Sequence, residues 1–435
     1  MQLNTPKGMR DIPPEEKIIR NDITNKLRNI FELYGFVPLE TPLLERYDIL
    51  SAKYTANAEI LNETFKLQDQ GKRELGLRYD LTVPFARYIG SNPAMKMPFK
   101  RYQMGKVFRD GPIKAGRARE FWQCDVDIVG TKSMIADAEC INIFQRGFKE
   151  LKLDVTIEIN NKKLLNGILK SCEVPQGLWG IAITEIDKIK KVGMETVVKE
   201  LNNQGIGNEA TTRLVEILGT QGTNFEKLES IKTLCDNEES AEGIKELQEL
   251  LLLINDSNVE LSLGLARGQA YYTGTLIEVF LKKGKITSSL GGGGRYDTLI
   301  SNYLESKKEY PAVGVSFGIE PISLALTKSI EQVANVSTVF IVSMDTNEES
   351  MKVAEQLRNE NINVEMDLMG RNMGKNMKYI LNKKIPWLIV IGSDEVKQKK
   401  VSLKNLESGE NEVISVTEAI NAIKNKKHIH SGLLK

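Results

Sequence analysis

The chain has 435 residues, too many for one ordinary hydrophobic core, so we expect two or three domains. Its 59 lysines and arginines nearly balance its 58 aspartates and glutamates. This balance excludes a uniformly basic protein but allows local patches of either sign. No apolar run approaches the length of a membrane span, and the polar start MQLNTPKGMRDIPPEE predicts neither an export signal nor a membrane anchor.

Cysteine and histidine usage restricts the possible chemistry. The four cysteines form no CxxC pair, which disfavours a disulfide framework and a structural zinc site and fits a reducing cytoplasm. The histidines are His428 and His430, in a lysine-rich tail beyond the last amphipathic stretch. A histidine general base, a Ser/His/Asp triad and a histidine-ligated metal are therefore disfavoured. We expect chemistry based on arginine, carboxylates, tyrosine and the backbone.

The first predicted helix covers residues 21–34, where apolar residues recur at helical spacing. Asn21 or Asp22 would cap this helix, and Gly35 would end it. A region of short strands and turns follows to about residue 130, including FVPLETP, GLRYDLTVPF and KRYQMGKVFR.

The second half of the chain divides into a helical part and an alternating part. An amphipathic helix is predicted over residues 134–150, and charged helical segments at about 173–254 predict an insertion, because strand-like sequence resumes at VELSLGLA. After it, strands and helices alternate, which predicts a compact, mostly parallel α/β domain. The predicted elements are strands 339–343, 362–366 and 387–392 and helices 347–360 and 372–383.

A basic segment over residues 96–119 contains one opposing carboxylate, Asp110. Its cations are Lys96, Lys100, Arg101, Lys106, Arg109, Lys114, Arg117 and Arg119. Phosphate is the natural complement of such a cluster. A solvated basic hairpin is the alternative.

The next segment, REFWQCDVDIVG, predicts a strand with two different faces. Trp122, Cys124, Val126 and Ile128 share an apolar face, and Gln123, Asp125 and Asp127 share a polar face. The polar face beside the basic segment would suit a zwitterionic or cationic ligand next to a phosphate group. An edge strand with one wet face would show the same alternation.

Three further segments carry weaker signals. In GLRYDLTVPFARYIG, Asp80 and Thr82 predict a turn and a strand start, or a carboxylate and a hydroxyl that hold an ammonium group. In SSLGGGGRYDTLI, the glycines allow close approach to a ligand, but no GKS or GKT follows, and a glycine-rich hairpin is the alternative. In LARGQAYYTG, the glycines of a β-like run indicate a bend, and Arg267 is either a site residue or an ordinary strand arginine.

Together these segments resemble the histidyl-tRNA synthetases, within the second class of aminoacyl-tRNA synthetases. The resemblance covers nearly the whole chain: TPKGMRDIPP near the start, YGFVPLETPLLE as the first class motif and VFRDGPIKAGRAREFWQCDVDIVG as the second. LARGQAYYTG is similar to the family's histidine signature, and GGGGRYDTL follows it. RYDLTVPFARY is closer to the eukaryotic form than to the usual bacterial one.

The resemblance implies an α+β fold. Its catalytic domain, residues 1–325, would be built on an antiparallel sheet flanked by helices and would carry a helical insertion at about 173–254. A C-terminal α/β anticodon-binding domain over residues 336–426 and a basic tail over residues 427–435 would follow. The resemblance also implies a cytoplasmic homodimer formed through the first motif, without membrane association.

The implied activity is that of a histidine–tRNA ligase. Histidine would react with ATP to give histidyl-adenylate and would then be transferred to the 3′ end of tRNA(His), with Mg²⁺ accompanying ATP. The substrate carboxylate is already ionised at neutral pH, so the first step needs charge stabilisation and orientation rather than a general base. By analogy, the C-terminal domain would bind the anticodon stem and loop, and the insertion would touch the acceptor arm.

The family's site residues can be carried onto matching positions. Arg109 and Arg267 would be catalytic, both against the ATP α-phosphate. The implied histidine-binding residues are Asp80, Leu81, Thr82, Arg109, Gln123, Asp127, Arg267, Tyr271 and Tyr272. Arg109, Arg117 and Arg267 would bind ATP.

Three departures from the family pattern leave a second function open. Gln269 and Ala270 replace a leucine and an aspartate of the signature, and Ala118 stands where a tyrosine is usual. The third class motif normally ends in Glu-Arg, with the arginine on the ATP γ-phosphate, but Pro321 follows Glu320 here. The alternative is a non-catalytic paralogue, such as a regulatory subunit of histidine biosynthesis or a tRNA-sensing protein. Such biosynthetic relatives generally lack an anticodon domain.

Overall fold

The computed structural model describes residues 3–51, 62–113, 118–267, 271–284, 286–326 and 335–430, with side chains for all of these except 256 and 426–430. Arg117, Gln269 and Ala270 lie outside the described residues. Among the described helices, none combines the length and the apolar character needed to cross a bilayer. The chain divides into two compact units, Met1–Asp11 with Ile23–Ala325 and Ile12–Asp22 with Leu326–Lys435.

The first unit mixes short strands with helices and then forms a long hairpin. Its early elements are the part of α1 (Pro14–Leu33) from Ile23 onward, β1 (Val37–Pro38), β2 (Leu44–Arg46), α2 (Tyr47–Ser51), β3 (Lys66–Gln68), β4 (Glu74–Leu77), α3 (Thr82–Gly90), β5 (Phe99–Phe108), β6 (Glu120–Val129), α4 (Met134–Glu150), β7 (Val155–Asn161) and α5 (Lys162–Ser171). The predicted helix over residues 134–150 is confirmed as α4.

The remaining elements of this unit are a run of helices and then the strands that complete its large sheet. They are α6 (Trp179–Ile186), α7 (Ile189–Val192), α8 (Met194–Asn203), α9 (Asn208–Leu218), α10 (Asn224–Leu234), α11 (Glu238–Leu253), β8 (Val259–Leu261), β9 (Thr275–Leu281), β10 (Gly291–Arg295), α12 (Leu299–Tyr303), β11 (Ala312–Gly318) and α13 (Ile319–Ala325). The predicted helical character between residues 173 and 254 is confirmed by α6 to α11.

Helix α1 begins seven residues before the predicted cap. Pro14 occupies the first helical position, where its missing N–H costs nothing, and Glu15 and Glu16 complement the helix dipole. The prediction of a start at residue 21 is therefore wrong, because proline and two acidic residues provide an earlier start signal. The predicted stop at Gly35 is confirmed: the helix ends two residues earlier, and Gly35 adopts φ +75°.

The large sheet has the strand order β1-β5-β6-β11-β10-β9-β7-β8 in the described residues. Its five inner pairings, from β5–β6 to β9–β7, are antiparallel, and the outermost pairing at each end is parallel. Helices flank one face, where the Phe317 ring of β11 lies 4.7 Å from Phe144 of α4 and 5.9 Å from Phe31 of α1. The antiparallel sheet flanked by helices is confirmed, and its other face is contacted by α3 and α7, through Phe85 on Arg101 and Lys190 on Phe280.

Two segments predicted as strands have other structures. Residues 82–90 form helix α3 because the Asp80 carboxylate accepts a hydrogen bond from the Val83 N–H at 3.0 Å and the apolar side chains of the helix are buried. The stretch from Leu265 to Gly274 is not a strand in its described part, and β9 begins only at Thr275. Arg267 has φ +36°, which a regular strand does not allow.

The second unit contains a sheet covered by helices on both faces. Its elements are β12 (Val339–Ser343), α14 (Asn347–Asn359), β13 (Val364–Met366), α15 (Met373–Asn382), β14 (Trp387–Ile391), α16 (Ser393–Gln398), β15 (Val401–Asn405), β16 (Asn411–Ile414) and α17 (Val416–His430). The described part of this sheet has the order β13-β12-β14-β15-β16. The α/β architecture is confirmed, with α14 and α17 over one face and α15 over the other.

Two details of the second unit differ from the predictions. Strands β13, β12 and β14 are parallel, but β15 and β16 add two antiparallel pairings, so "mostly parallel" is wrong. The reason is the short connection between β15 and β16, which allows a hairpin but no crossover helix. Helix α17 extends to His430, so the two histidines lie in the last helix rather than beyond the last amphipathic stretch.

Candidate active site

A cavity of about 220 Å³ opens at the opposite face of the large sheet, where Phe85 of α3 packs against Arg101 of β5. Eight of the predicted site residues line it: Asp80, Thr82, Arg109, Gln123, Asp127, Arg267, Tyr271 and Tyr272. They come from α3 and the residue before its N-cap, the β5–β6 hairpin, and the segment before β9. Leu81 does not line the cavity; it is fully buried, and its carbonyl oxygen accepts a hydrogen bond from Arg101 Nη2 at 3.3 Å. Arg117 lies outside the described residues.

Strand β6 presents its polar face to the cavity. Gln123, Asp125 and Asp127 line it, while Cys124 pairs in register with Phe317 beneath the flanking helices. The strand is central, since β5 and β11 pair with its two sides. The predicted alternation is confirmed, and the edge-strand alternative is wrong.

The Asp127 carboxylate is held from two directions. Arg101 Nη2 lies 2.6 Å from Asp127 Oδ2, and the Tyr296 hydroxyl donates a short hydrogen bond to Oδ1. The Arg101 guanidinium also lies 4.4 Å from the centroid of the Phe85 ring. Opposite Asp127 in the sheet, Gly314 leaves room for this arrangement, because a Cβ there would lie 2.0 Å from Asp127 Oδ1. Burial raises the pKa of Asp127, and the Arg101 charge opposes that rise.

The residues before α3 bring another carboxylate and an arginine to the cavity. Asp80 is buried at the start of the helix, and burial raises its pKa despite the hydrogen bond from Val83. Arg109 Nε donates to the Tyr79 carbonyl oxygen at 3.1 Å, and its guanidinium lies 5.0 Å from the Phe121 ring centroid. These contacts fix the stem of Arg109 while it lines the cavity.

Arg267 is positioned by backbone carbonyl groups of the sheet. Its Nη1 atom donates to Ile277 O at 2.8 Å, and its guanidinium lies 5.6 Å from the Tyr272 ring centroid. A Cβ on Gly292 would lie 2.1 Å from that Nη1 atom. The glycine run therefore leaves open, at Gly292, the space that the Arg267 guanidinium occupies. The run itself is the central strand β10, which forms an antiparallel hairpin with β9 and also pairs with β11, so the glycines belong to a hairpin and line the cavity as well.

Adjacent aromatic rings form another part of the cavity wall. The ring centroids of Tyr271 and Tyr272 lie 4.7 Å apart, and those of Tyr271 and Tyr296 lie 6.1 Å apart in an edge-to-face arrangement. Burial raises the pKa of Tyr272, which keeps its phenol neutral at physiological pH. The wall therefore offers hydroxyl groups and ring faces.

Four cations of the basic segment pair with carboxylates, three of which lie outside the segment. Lys100 pairs with Glu139 at 2.7 Å, Arg101 with Asp127 at 2.6 Å, Lys106 with Glu120 at 2.5 Å, and Arg119 with Asp110 at 2.7 Å. The prediction of a phosphate-binding cluster along the whole segment is therefore wrong for these residues. Among the segment's described cations, Arg109 is the one that lines the cavity.

Several cavity residues had no assigned role in the sequence prediction. They are Phe121, Asp125, Glu278, Ser289, Tyr296 and Ser316. The period-two alternation of β6 already placed Asp125 beside Gln123 and Asp127. Tyr296 lies two residues after the last glycine of the run, but nothing local marks Glu278 or Ser316, which the pairing of distant strands brings to the cavity.

Pro321 fits the helix that contains it. It is the third residue of α13, where an intrahelical N–H donor is not required, and it lies against Gly318, a cavity residue. The preceding Glu320 accepts a hydrogen bond from the Trp122 N–H at 3.0 Å. Among the described residues lining the cavity, the cations are Arg109 and Arg267. Within the described part of the chain, no cluster of three His, Cys, Asp or Glu side chains is arranged to hold a metal ion.

Comparisons with known proteins agree with this geometry. A family model described as "Histidyl-tRNA synthetase" matches residues 8–322, and one described as "Anticodon binding domain" matches residues 337–426. The chain is 43% identical over 415 residues to histidine–tRNA ligase 1 of Bacillus cereus, covering 94% of each chain. It is 38% identical over 433 residues to histidine–tRNA ligase of Clostridium tetani, covering 96% of this chain and 97% of the relative.

Solved structures show the same architecture. The crystal structure of histidyl-tRNA synthetase from Nostoc sp. PCC 7120 has a TM-score of 0.86 at 31% identity and covers 98% of this chain and 100% of its own. An ATP phosphoribosyltransferase regulatory subunit/histidyl-tRNA synthetase from Bacillus halodurans C has a TM-score of 0.74 at 23% identity, covering 87% and 96%. The latter likeness shows a shared fold alone.

A catalytic unit of this architecture followed by an anticodon-binding domain defines an aminoacyl-tRNA synthetase. Within that class of ligase, the chain belongs to the histidyl-tRNA synthetase family.

Proposed function

We propose that the chain is an active histidine–tRNA ligase that joins histidine to the 3′ end of tRNA(His) through a histidyl-adenylate. The observation that carries this proposal is one cavity in which two anchored arginines, Arg109 and Arg267, face carboxylate and amide groups from β6 and the start of α3. A zwitterionic amino acid and a phosphate group together complement such a set of charges.

In the proposed first step, a carboxylate oxygen of histidine attacks the α-phosphorus of ATP. A new oxygen–phosphorus bond forms, the bond to the bridging oxygen breaks, and pyrophosphate leaves. Arg109 and Arg267 stabilise the charge that develops on the phosphoryl oxygens. Because backbone carbonyls and ring faces already hold both guanidinium groups, little reorganisation is needed as the reaction proceeds. Mg²⁺ arriving with ATP would balance the β- and γ-phosphate charges.

The substrate histidine would be held by the polar face of β6 and its neighbours. Asp80, Thr82, Gln123 and Asp127 provide acceptors for the ammonium and imidazole N–H groups, and Tyr271 and Tyr272 complete the pocket. In the second proposed step, a ribose hydroxyl of the terminal adenosine of the tRNA attacks the adenylate carbonyl, and AMP leaves. The pocket keeps the amino acid oriented for both steps.

The second unit would bind the anticodon stem and loop of the tRNA. Near its helix α15, Leu368 and Met369 expose 89% and 72% of their surface, and the Arg371 guanidinium lies 4.6 Å from the centroid of the Tyr379 ring. Lysines at positions 375 and 378 of α15 add positive charge. Apolar and aromatic surface for unpaired bases beside cations for the phosphates is what recognition of a single-stranded loop requires.

The working protein would be a homodimer in the cytoplasm. The region of the first class motif exposes apolar side chains on and beside β1, β2 and β3, which supports an interface there. These side chains are Val37, Leu43, Leu44 and Leu67, each between 44% and 48% exposed. Light scattering coupled to size exclusion would give a mass near twice 48.8 kDa for a dimer.

The direct test is ATP–pyrophosphate exchange with each amino acid in turn. We expect exchange that depends on histidine. If the folded protein shows no exchange with any amino acid, the ligase proposal fails and the non-catalytic alternative is favoured. Exchange with another amino acid would keep the reaction and overturn the assignment of the pocket.

A further inference from the structure

The carboxylates of Asp125 and Asp127 lie on the same face of β6 but differ in what holds them. Asp127 forms an ion pair with Arg101 and accepts a hydrogen bond from the Tyr296 hydroxyl, although its Oδ2 atom has no hydrogen-bond partner among the described residues. Asp125 is 5% exposed and lines the same cavity, yet its Oδ1 atom has no hydrogen-bond partner among the described residues. Of the two carboxylates, Asp125 is the one without an ion pair to a described residue.

The charged groups around Asp125 do not neutralise it. It makes no ion pair with a described residue, and the nearby Arg78 directs its guanidinium to the Lys106 carbonyl oxygen at 2.9 Å and the Thr41 carbonyl oxygen at 2.7 Å. Arg101 is engaged with Asp127. The other ionisable neighbours, Asp80 and Asp127, are acidic; of the uncharged strand neighbours Gln103 and Ser316, Ser316 forms a side-chain hydrogen bond with the Asp125 carboxylate.

An unsatisfied buried acceptor is costly, so its persistence in a cavity indicates a ligand donor. Gln123, two residues earlier, also has a buried side-chain oxygen without a hydrogen-bond partner among the described residues. Two such acceptors on one cavity wall complement a ligand with several N–H groups, and histidine has them on both its ammonium and its imidazole.

We propose that Asp125 is a further substrate-binding residue whose carboxylate accepts a hydrogen bond from an N–H group of histidine. The proposal rests on the histidine–tRNA ligase function proposed above. It adds Asp125 to the acceptors of the pocket, beside Asp127, whose position Arg101 and Tyr296 determine. Burial raises the pKa of Asp125 to about 7, so an N–H donor that favours the ionised form would draw a proton off it near neutral pH.

The test compares Asp125→Asn with the wild-type protein in histidine-dependent exchange. Removing the charge from one charge-assisted hydrogen bond should raise the KM for histidine roughly 10- to 100-fold and leave the KM for ATP within about twofold. Asp125→Glu, which keeps the charge, should restore part of the histidine affinity. The matched control is Glu120→Gln on the same strand, whose carboxylate pairs with Lys106 outside the cavity, and both of its KM values should stay near wild type.

A pH profile separates ligand contact from mere support of the fold. Free histidine titrates in the same way in both assays, so it contributes equally to both profiles. For the wild type, kcat/KM for histidine should in addition rise near pH 7, and the Asp125→Asn profile should lack this rise. A folded Asp125→Asn protein with an unchanged histidine KM and an unchanged profile overturns this proposal while leaving the ligase function intact.

Calorimetry with histidine alone covers the remaining cases. If the wild type binds histidine without catalysing exchange, the ligase function fails, and a weaker Kd in Asp125→Asn still supports the contact. If the wild type does not bind histidine, both proposals are overturned. Should Asp125→Asn not fold, wild-type titrations at pH 7 in buffers of different ionisation enthalpy decide: proton release on histidine binding supports the contact, and its absence overturns it.

Discussion

Arg267 occupies the space that a side chain at Gly292 would need. A Cβ on Gly292 would lie 2.1 Å from Arg267 Nη1 and 2.8 Å from the Ile277 carbonyl oxygen, the group to which Nη1 donates. Arg267 can therefore take this position only because Gly292 in β10 has no side chain, although the two residues are 25 positions apart in the sequence. Part of the glycine run thus has a role that its local sequence does not reveal.

Gly292→Ala should displace Arg267 without removing it. We expect exchange activity to fall roughly 100-fold, because a shift of about 1 Å in a charged group at the reacting centre has an effect of that order. Histidine binding, measured by calorimetry, should change little. Gly180→Ala in α6, where a Cβ meets no atom within 4 Å, is the control and should exchange normally. Normal activity in a folded Gly292→Ala protein would contradict the inference that Arg267 needs the space left by Gly292.

Arg267→Ala tests the arginine directly. We expect adenylate formation to fall by roughly two to three orders of magnitude, since the charge that stabilises the reacting phosphoryl group is lost. Histidine binding should be largely intact. ATP–pyrophosphate exchange measures the rate of adenylate formation, and calorimetry measures the affinity for histidine. Arg213→Ala, an exposed arginine of α9, is the matched control. Near-normal exchange by Arg267→Ala would refute its assigned role.

Arg101→Met should leave Asp127 buried without its cation. Arg101 is fully buried and pairs with Asp127 at 2.6 Å, so we expect a loss of about 3–5 kcal/mol in the free energy of unfolding. The measurement is denaturant unfolding of the variant against the wild type. Arg101→Met combined with Asp127→Asn should recover part of this loss, because the uncompensated charge is removed. Equal stability of the single and double variants would contradict the pairing argument.

Local sequence patterns predicted the parts of the site that depend on local geometry. The alternation along β6 placed Gln123, Asp125 and Asp127 on one face because successive strand residues point in opposite directions. The same reasoning failed for α3, where the side chain of Asp80 stabilises a helix start that DLTVP does not specify without its buried surroundings. It failed again before β9, where the backbone of Arg267 leaves the strand conformation.

Charge compensation could not be predicted from the neighbouring sequence. The basic segment contains one carboxylate, but Glu139 from α4, Glu120 from the facing strand and Asp127 further along that strand neutralise its cations in the fold. Such pairs depend on tertiary contacts rather than on sequence spacing. A run of like charges therefore indicates a ligand only for those members, such as Arg109, that remain directed into a cavity.

Pro321→Arg should strengthen ATP binding. Pro321 lies against Gly318 at the cavity edge, near the start of α13, and arginine is compatible with a helix. A guanidinium there would add a cation where the family's third motif has one, and we expect the KM for ATP to fall by roughly three- to tenfold, as for one exposed charge-assisted contact. Pro321→Ala removes the proline without adding a cation, and it should leave the KM for ATP near the wild-type value. No change in Pro321→Arg would mean that the position is too far from the nucleotide.

Stability of the ligand-free protein should fall as pH rises from about 4 to about 7, and Asp125 should be a main cause. Its pKa is raised to about 7 by burial, so the folded state holds a proton that the unfolded chain releases near pH 4. This group therefore favours the folded state most below about pH 4, and the advantage is lost progressively as pH rises from there to about 7. The loss is on the order of 4 kcal/mol for a fully buried carboxyl.

Asp125→Asn should remove this contribution. Relative to the wild type, its melting temperature without ligand should increase between pH 5 and pH 8, because the variant has no carboxylate to ionise in the cavity. Scanning calorimetry of both proteins across this range gives the difference directly. Glu120→Gln, which alters a partly exposed carboxylate, should show no such trend. A difference between Asp125→Asn and wild type that stays constant with pH would show that Asp125 remains ionised throughout and that its surroundings compensate the charge.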